Sequence, residues 1–308
     1  TITIILRAFA IYLMVTKTPD AGKPLARYLI LMQILVICSS IYVDILFKHI
    51  PVFPAIAGYC SGVLCQVGVR PHVVHAIFIL LCWLVGTSIM SCVIYRHQSI
   101  IPADNRFKIS EITRRMFELC VIAILGISPI VYAAYPFDYA DFPRILKEHH
   151  FKISWIENRG AFYIHERSTT VVTFICLIDA QVVMSMLMVI LLFLHMFYVL
   201  RTAGGRSRAS IKCVRRSLIV LFVQIAVPLA MLVIPVFISL TAMACECIPY
   251  GIVLAANFVL SLHPLGHSLT LLLITPAYRR FIIATITRVP NKMCQKYQGA
   301  IQRAILII

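Results

Sequence analysis

Charge is what this chain has least of. Asp, Glu, Lys and Arg together make 13% of its 308 residues, where a soluble domain carries about 25%. So few charges cannot coat a water-facing surface, so lipid must cover much of the molecule. No CxxC pair occurs, which removes zinc-ribbon and thioredoxin-like readings. HExxH and GxSxG are absent, so neither motif of metalloprotease or hydrolase chemistry is present. There is no N-x-S/T acceptor. The chain shows no self-similar halves of the kind many transporters carry. A multi-span transporter or channel remains the alternative to the reading built below. An intramembrane enzyme is a weaker rival, because no recognised catalytic motif surrounds Asp44 or Asp179.

Hydrophobic residues are what the chain has most of, at 61%. About 20 apolar residues cross the hydrocarbon as a helix. Pro71–Tyr95, Leu119–Phe137, Ala180–Leu200, Ser217–Cys245 and Cys247–Tyr278 contain no Lys, Arg, Asp or Glu. Tyr28–Phe47 is interrupted only by Asp44, and Ser168–Leu200 only by Asp179. Ile2–Val15 is shorter and contains Arg7. It reaches about 21 Å, short of a core of about 30 Å. With the chain opening on Thr1, it reads as a truncated first span, or else as a processed start with a short, tilted span. Backbone groups in lipid must be satisfied within their own segment, so the runs are helices.

The expected fold is therefore an all-α membrane protein, a seven-transmembrane helix bundle. Its spans are 1–15, 28–50, 71–95, 116–135, 170–200, 217–244 and 249–275. Residues 1–290 form the bundle and 291–308 a tail.

Net charge is +16. The basic residues sit in short clusters between apolar runs, without zinc-finger, zipper or RNA-binding patterns, so no nucleic-acid partner is expected. Loops 16–27, 96–115 and 201–216 with the tail 276–308 hold 20 basic and three acidic residues. Loops 48–70, 136–169 and 245–248 hold seven basic and six acidic ones. Basic loops stay in the cytoplasm. The expected orientation puts the N-terminus outside and the C-terminus inside.

Several stretches then resemble one family. "VTKTP" (Val15–Pro19) is similar to the stop after the first helix of the nematode serpentine chemoreceptors. "IPVFPAIAGYCSGVLCQVGV" (Ile50–Val69) matches their Pro- and Gly-rich loop after the second span. "YRHQ" (Tyr95–Gln98) resembles the class I ending of the third helix. "QIAVPLAMLVIP" (Gln224–Pro235) resembles the paired-proline sixth helix. "SLHPLGHSL" (Ser261–Leu269) and "PAYRR" (Pro276–Arg280) resemble the seventh helix and its exit. Class I or class H is nearest. One departure is that loop 136–169 contains no cysteine.

The resemblance implies a G-protein-coupled, odorant-type receptor in the plasma membrane of a sensory neuron or cilium. Its partners would be a small-molecule ligand, a heterotrimeric G protein and membrane lipid. No cofactor, metal or enzymatic activity is implied.

Candidate residues follow, each with a plainer reading beside it. Asp44 and Asp179 lie inside spans, where a charge is costly and tends to face the bundle interior. With His75 and Tyr250 they form the candidate ligand pocket, and Asp44 could pair with Arg7; otherwise they are hydrogen-bonded structural groups. Arg96 and His97 close the third span at the inner face, either as a lock and G-protein contact or as a basic anchor. Pro228 and Pro235 kink the sixth span, as a hinge or as a static bend. His263 and His267 share a helix face around Pro264, as a polar switch or as interhelical hydrogen bonding.

Arg279 opens an amphipathic segment, 277–288, suited to an anionic inner leaflet. Cys294 in the tail is a candidate for palmitoylation. Cys60, Cys65, Cys245 and Cys247 fall on the outer, oxidising side. They allow several pairings, including a bridge from the top of the third helix to the last outer loop.

Overall fold

The structure is a computed structural model that describes residues 2–51, 57–134, 161–164, 168–202, 208–245 and 247–287. The tail 291–308, with Cys294, lies outside the described residues.

Seven rods follow one another along the chain. They are α1 (Ile2–Lys17), α2 (Lys23–Ile41), α3 (Pro71–Ile100), α4 (Glu111–Ala134), α5 (Thr169–Thr202), α6 (Arg208–Cys245) and α7 (Tyr250–Ile274). A shorter α8 (Pro276–Thr287) follows. Six of the rods, α2 to α7, are long and apolar enough to cross a membrane. The first, α1, has 16 residues and packs against α2, α7 and α8.

Proline punctuates the rods. Pro24 and Pro71 sit in the first turns of α2 and α3, where the missing N–H costs nothing. Pro276 separates α7 from α8, because the residue before a proline is pushed out of the helical region; Thr275 is extended, at ψ 115°.

Central α3 packs on α2, α4 and α5, and α6 lies along α7. By contrast α4 leans chiefly on α3. The core runs through Met32, Ile89, Val93, Met196, Leu218, Leu221, Ile225 and Leu271. Helices overrun the apolar sequence at their basic ends: α3 continues to Ile100 and α6 starts at Arg208. Helical hydrogen bonding needs no apolar side chains, so the rods extend beyond the apolar runs.

The far end adds structure to the all-helical expectation. After α2 the chain widens into a π-helical turn, Tyr42–Phe47, that ends on Lys48 at φ 42°. Three short antiparallel strands follow: β1 (His49–Pro51), β2 (Ala57–Cys60) and β3 (Ala161–Ile164). Tyr59 pairs with Ile50 on one side and Phe162 on the other. The sheet thus joins the segment after α2 to the segment before α5.

Cysteine pairing is local. Cys60 bonds Cys65, and Cys245 bonds Cys247. The bridge from the third helix to the last outer loop is not made, because each cysteine has a partner a few residues away. Gly62 closes the turn: a Cβ there would run into the backbone of Leu46 and Phe47.

Candidate functional site

Aromatic rings link four elements at the far end. Tyr42 and Phe47 lie 6.0 Å apart, Phe47 and His75 5.8 Å, and His75 and Tyr132 5.5 Å. Tyr132 stacks on Phe174 of α5 at 5.8 Å. Tyr42 also donates its hydroxyl to the Val74 carbonyl at 2.6 Å, fixing the π turn to α3.

Phe174 also borders a groove of about 550 Å³ between α3, α4 and α5. Met90 on α3, Leu125 and Ser128 on α4, and Gln181 and Ser185 on α5 line it. The walls are apolar, but Gln181 Oε1 is buried without a hydrogen-bond partner. The groove exists because α4 and α5 both pack on α3 while hardly touching one another.

The four candidate pocket residues are not gathered together. His75 sits in the aromatic chain. Asp179 lies near Thr241 of α6 and has Oδ1 buried and unpartnered. Asp44 and Tyr250 are exposed. Nor does Asp44 pair with Arg7: among the described residues no ion pair joins them. Arg7 Nη1 instead donates to the Val36 carbonyl at 2.8 Å and to Ser40 Oγ at 2.9 Å. Those acceptors lie on the face of α2 that meets α1, whereas Asp44 belongs to the π turn, where the extra residue per turn carries it off that face.

Polar contacts cross between helices at the basic end. Arg96 Nη2 donates to Ser217 Oγ at 2.9 Å, joining α3 to α6. His97 Nε2 meets His195 Nδ1 at 2.8 Å, joining α3 to α5. The loop after α3 folds back on this pair: Phe107 sets its ring edge-on to His195 at 5.0 Å, and Gln98 donates to the Phe107 carbonyl at 3.0 Å.

Beside them Tyr28 and Tyr95 stack at 5.1 Å. Arg114 bonds the Tyr28 hydroxyl and Glu118, each at 2.6 Å, and lies over the Tyr95 ring. Gln224 donates to Thr275 Oγ1 at 2.6 Å, tying α6 to α7. Thr18 and Tyr278 share a hydrogen bond at 2.9 Å, tying the end of α1 to α8. Burial holds the Tyr278 hydroxyl above the usual phenol range, with the Thr18 bond pulling the other way.

A model of the family described as serpentine type 7TM GPCR chemoreceptor Srh matches residues 1–288. The chain belongs to this family. The match settles the resemblance on class H and covers every described helix. No curated protein matches the chain.

Within this serpentine receptor, the expected switch residues are placed as follows. Arg96 and His97 each reach another helix. Pro228 and Pro235 are buried inside a continuous α6. His263 and His267 are buried on α7 with rings stacked 6.2 Å apart, and Gln33 Nε2 meets His267 Nδ1 at 3.4 Å. Ser268 donates to the Pro264 carbonyl at 3.0 Å. Arg279 is exposed on α8, which Phe281 and Ile282 anchor to the core.

Sequence reasoning missed His195, Ser217, Phe107, Tyr28, Arg114 and the α3–α4–α5 groove. One of these had a readable signal: Arg114 and Glu118 stand at i, i+4.

Proposed function

We propose that this receptor binds a small extracellular chemical and passes the signal to a heterotrimeric G protein across the plasma membrane. The basic end faces the cytoplasm, which puts the N-terminus outside; the bias of 20 basic residues on one side against seven on the other supports this. The observation that carries the reading is the tie between Arg96 and Ser217, which joins α3 to α6 where a cytoplasmic partner would dock. Breaking it, with α6 bending at Pro228 or Pro235, opens a cleft between α3, α5 and α6. Arg96, His97 and Arg279 then face the G protein, while His263 and Pro264 adjust α7.

The ligand occupies the groove between α3, α4 and α5, which the ring chain borders at Phe174. Apolar walls suit an odorant-like molecule, and Gln181 Oε1 offers one acceptor for its polar group. Binding shifts the equilibrium only by its difference in affinity for the two packings.

Nucleotide exchange on Gα proteins, measured in vesicles holding the full-length receptor, tests this across an odorant panel. The expected result is ligand-stimulated exchange, with Gln181→Leu weakening the response to hydrogen-bonding odorants about tenfold. A receptor that binds odorants yet stimulates no Gα protein would overturn the coupling. A response indifferent to Gln181 would remove the groove.

A further inference from the structure

We propose that the junction where α1, α2 and α7 pack together binds a small monovalent inorganic anion of the chloride class. The argument begins with Arg7, whose side chain is fully buried, at 0% exposure. A guanidinium keeps its charge in a protein. Isolated in a low-dielectric interior, it is costly unless a counter-charge or hydrogen bonds compensate it. Arg7 Nη1 is satisfied by Val36 and Ser40, both neutral. Arg7 Nε and Nη2 have no partner. Among the described residues no carboxylate lies within ion-pair distance of it, and Asp44 is exposed.

The neighbouring helix supplies a further donor. Gln33 Nε2 donates to His267 Nδ1, so the neutral imidazole carries its hydrogen on Nε2. His267 is 2% exposed, and this Nε2 also lacks a partner. Gln33, fully buried, holds the contact from α2 and leaves Oε1 as the one unpartnered acceptor of the group. Arg7 is close enough for its charge to act on both His263 and His267.

Three helices thus bring together unsatisfied N–H groups and a positive charge that no carboxylate touches, the exposed Asp44 acting on it only from beyond ion-pair distance. Water could accept those hydrogens but would leave the charge. A divalent anion would reverse it. A monovalent anion does both jobs: it accepts from Arg7 Nε, Arg7 Nη2 and His267 Nε2, and it neutralises the guanidinium. A water bridging to Gln33 Oε1 completes the set.

The test is thermal unfolding of the full-length receptor in nanodiscs, with sodium gluconate replaced stepwise by sodium chloride at constant ionic strength. The expected result is a saturable rise in Tm of about 2–4 °C. Bromide should reproduce it and give a density peak beside Arg7. Arg7→Gln should abolish the dependence. His267→Phe, which keeps a ring but loses the N–H, should raise the chloride midpoint about tenfold while the receptor stays folded. An equal Tm in both salts overturns the proposal. So does a chloride dependence that appears only in Asp44→Asn, which would make Asp44 the counter-ion.

Discussion

The two ends of the bundle are held in different ways. At the far end, rings stack in a chain from Tyr42 to Phe174, a small sheet ties two loops, and Cys60–Cys65 closes the turn beside Gly62. At the basic end, single directional bonds cross between helices: Arg96 to Ser217, His97 to His195, Arg114 to Tyr28. Stacked rings lose contact gradually and tolerate small shifts, and a disulfide holds its two residues together throughout. A hydrogen bond is made or broken over a fraction of an ångström. An end built from such bonds has discrete alternative states, which is what a two-state switch needs.

The contrast can be broken at four places. Gly62→Ala drives a methyl into the Leu46 and Phe47 backbone. A loss of about 3 kcal/mol is expected, read as a lower Tm and reduced surface expression. Arg114→Ala strands Glu118, which is mostly buried, and removes the bond to Tyr28. About 2 kcal/mol should go, measured by melting in nanodiscs. Tyr42→Phe leaves the Val74 carbonyl without its hydroxyl donor. The expected cost is about 1 kcal/mol of stability, with basal nucleotide exchange unchanged. Ser217→Ala has the smallest effect on Tm but moves activity: loss of its bond to Arg96 should raise basal exchange about two- to fivefold. Basal exchange that rises in Tyr42→Phe and not in Ser217→Ala would reverse the assignment of static and switching ends.

The seven-helix architecture was legible because lipid imposes one demand, a long apolar run per crossing. The expected orientation rests on a different signal, the basic residues that accumulate on one side. The rotation of each helix was not. In a soluble helix the apolar stripe marks the inward face. Here the lipid-facing and core-facing sides are both apolar: Ile89 and Val93 are buried on α3, whereas Leu187 and Leu191 on α5 are exposed. No pattern in the chain separates them.

That is why Asp44, His75, Asp179 and Tyr250 were grouped by depth yet point to different places. It is also why His195 and Ser217 were overlooked, being single polar residues whose partners lie on other helices. The local disulfides were within reach of sequence spacing, but the four cysteines allowed several pairings. The π turn at Tyr42–Phe47 follows from neither composition nor period, and it decides where Asp44 stands.

One consequence follows from the length of α6. Arg208 stands 20 residues before Pro228 on an unbroken helix, a rigid arm of about 30 Å. Bending that arm by about 10° at the proline would sweep its tip sideways by about 5 Å, roughly the height of one helical turn. Shifts at the fulcrum too small to disturb the surrounding side chains would thus reach the water-facing tip magnified. The cationic start of α6 would act as the pointer of a gauge whose pivot lies deep in the lipid.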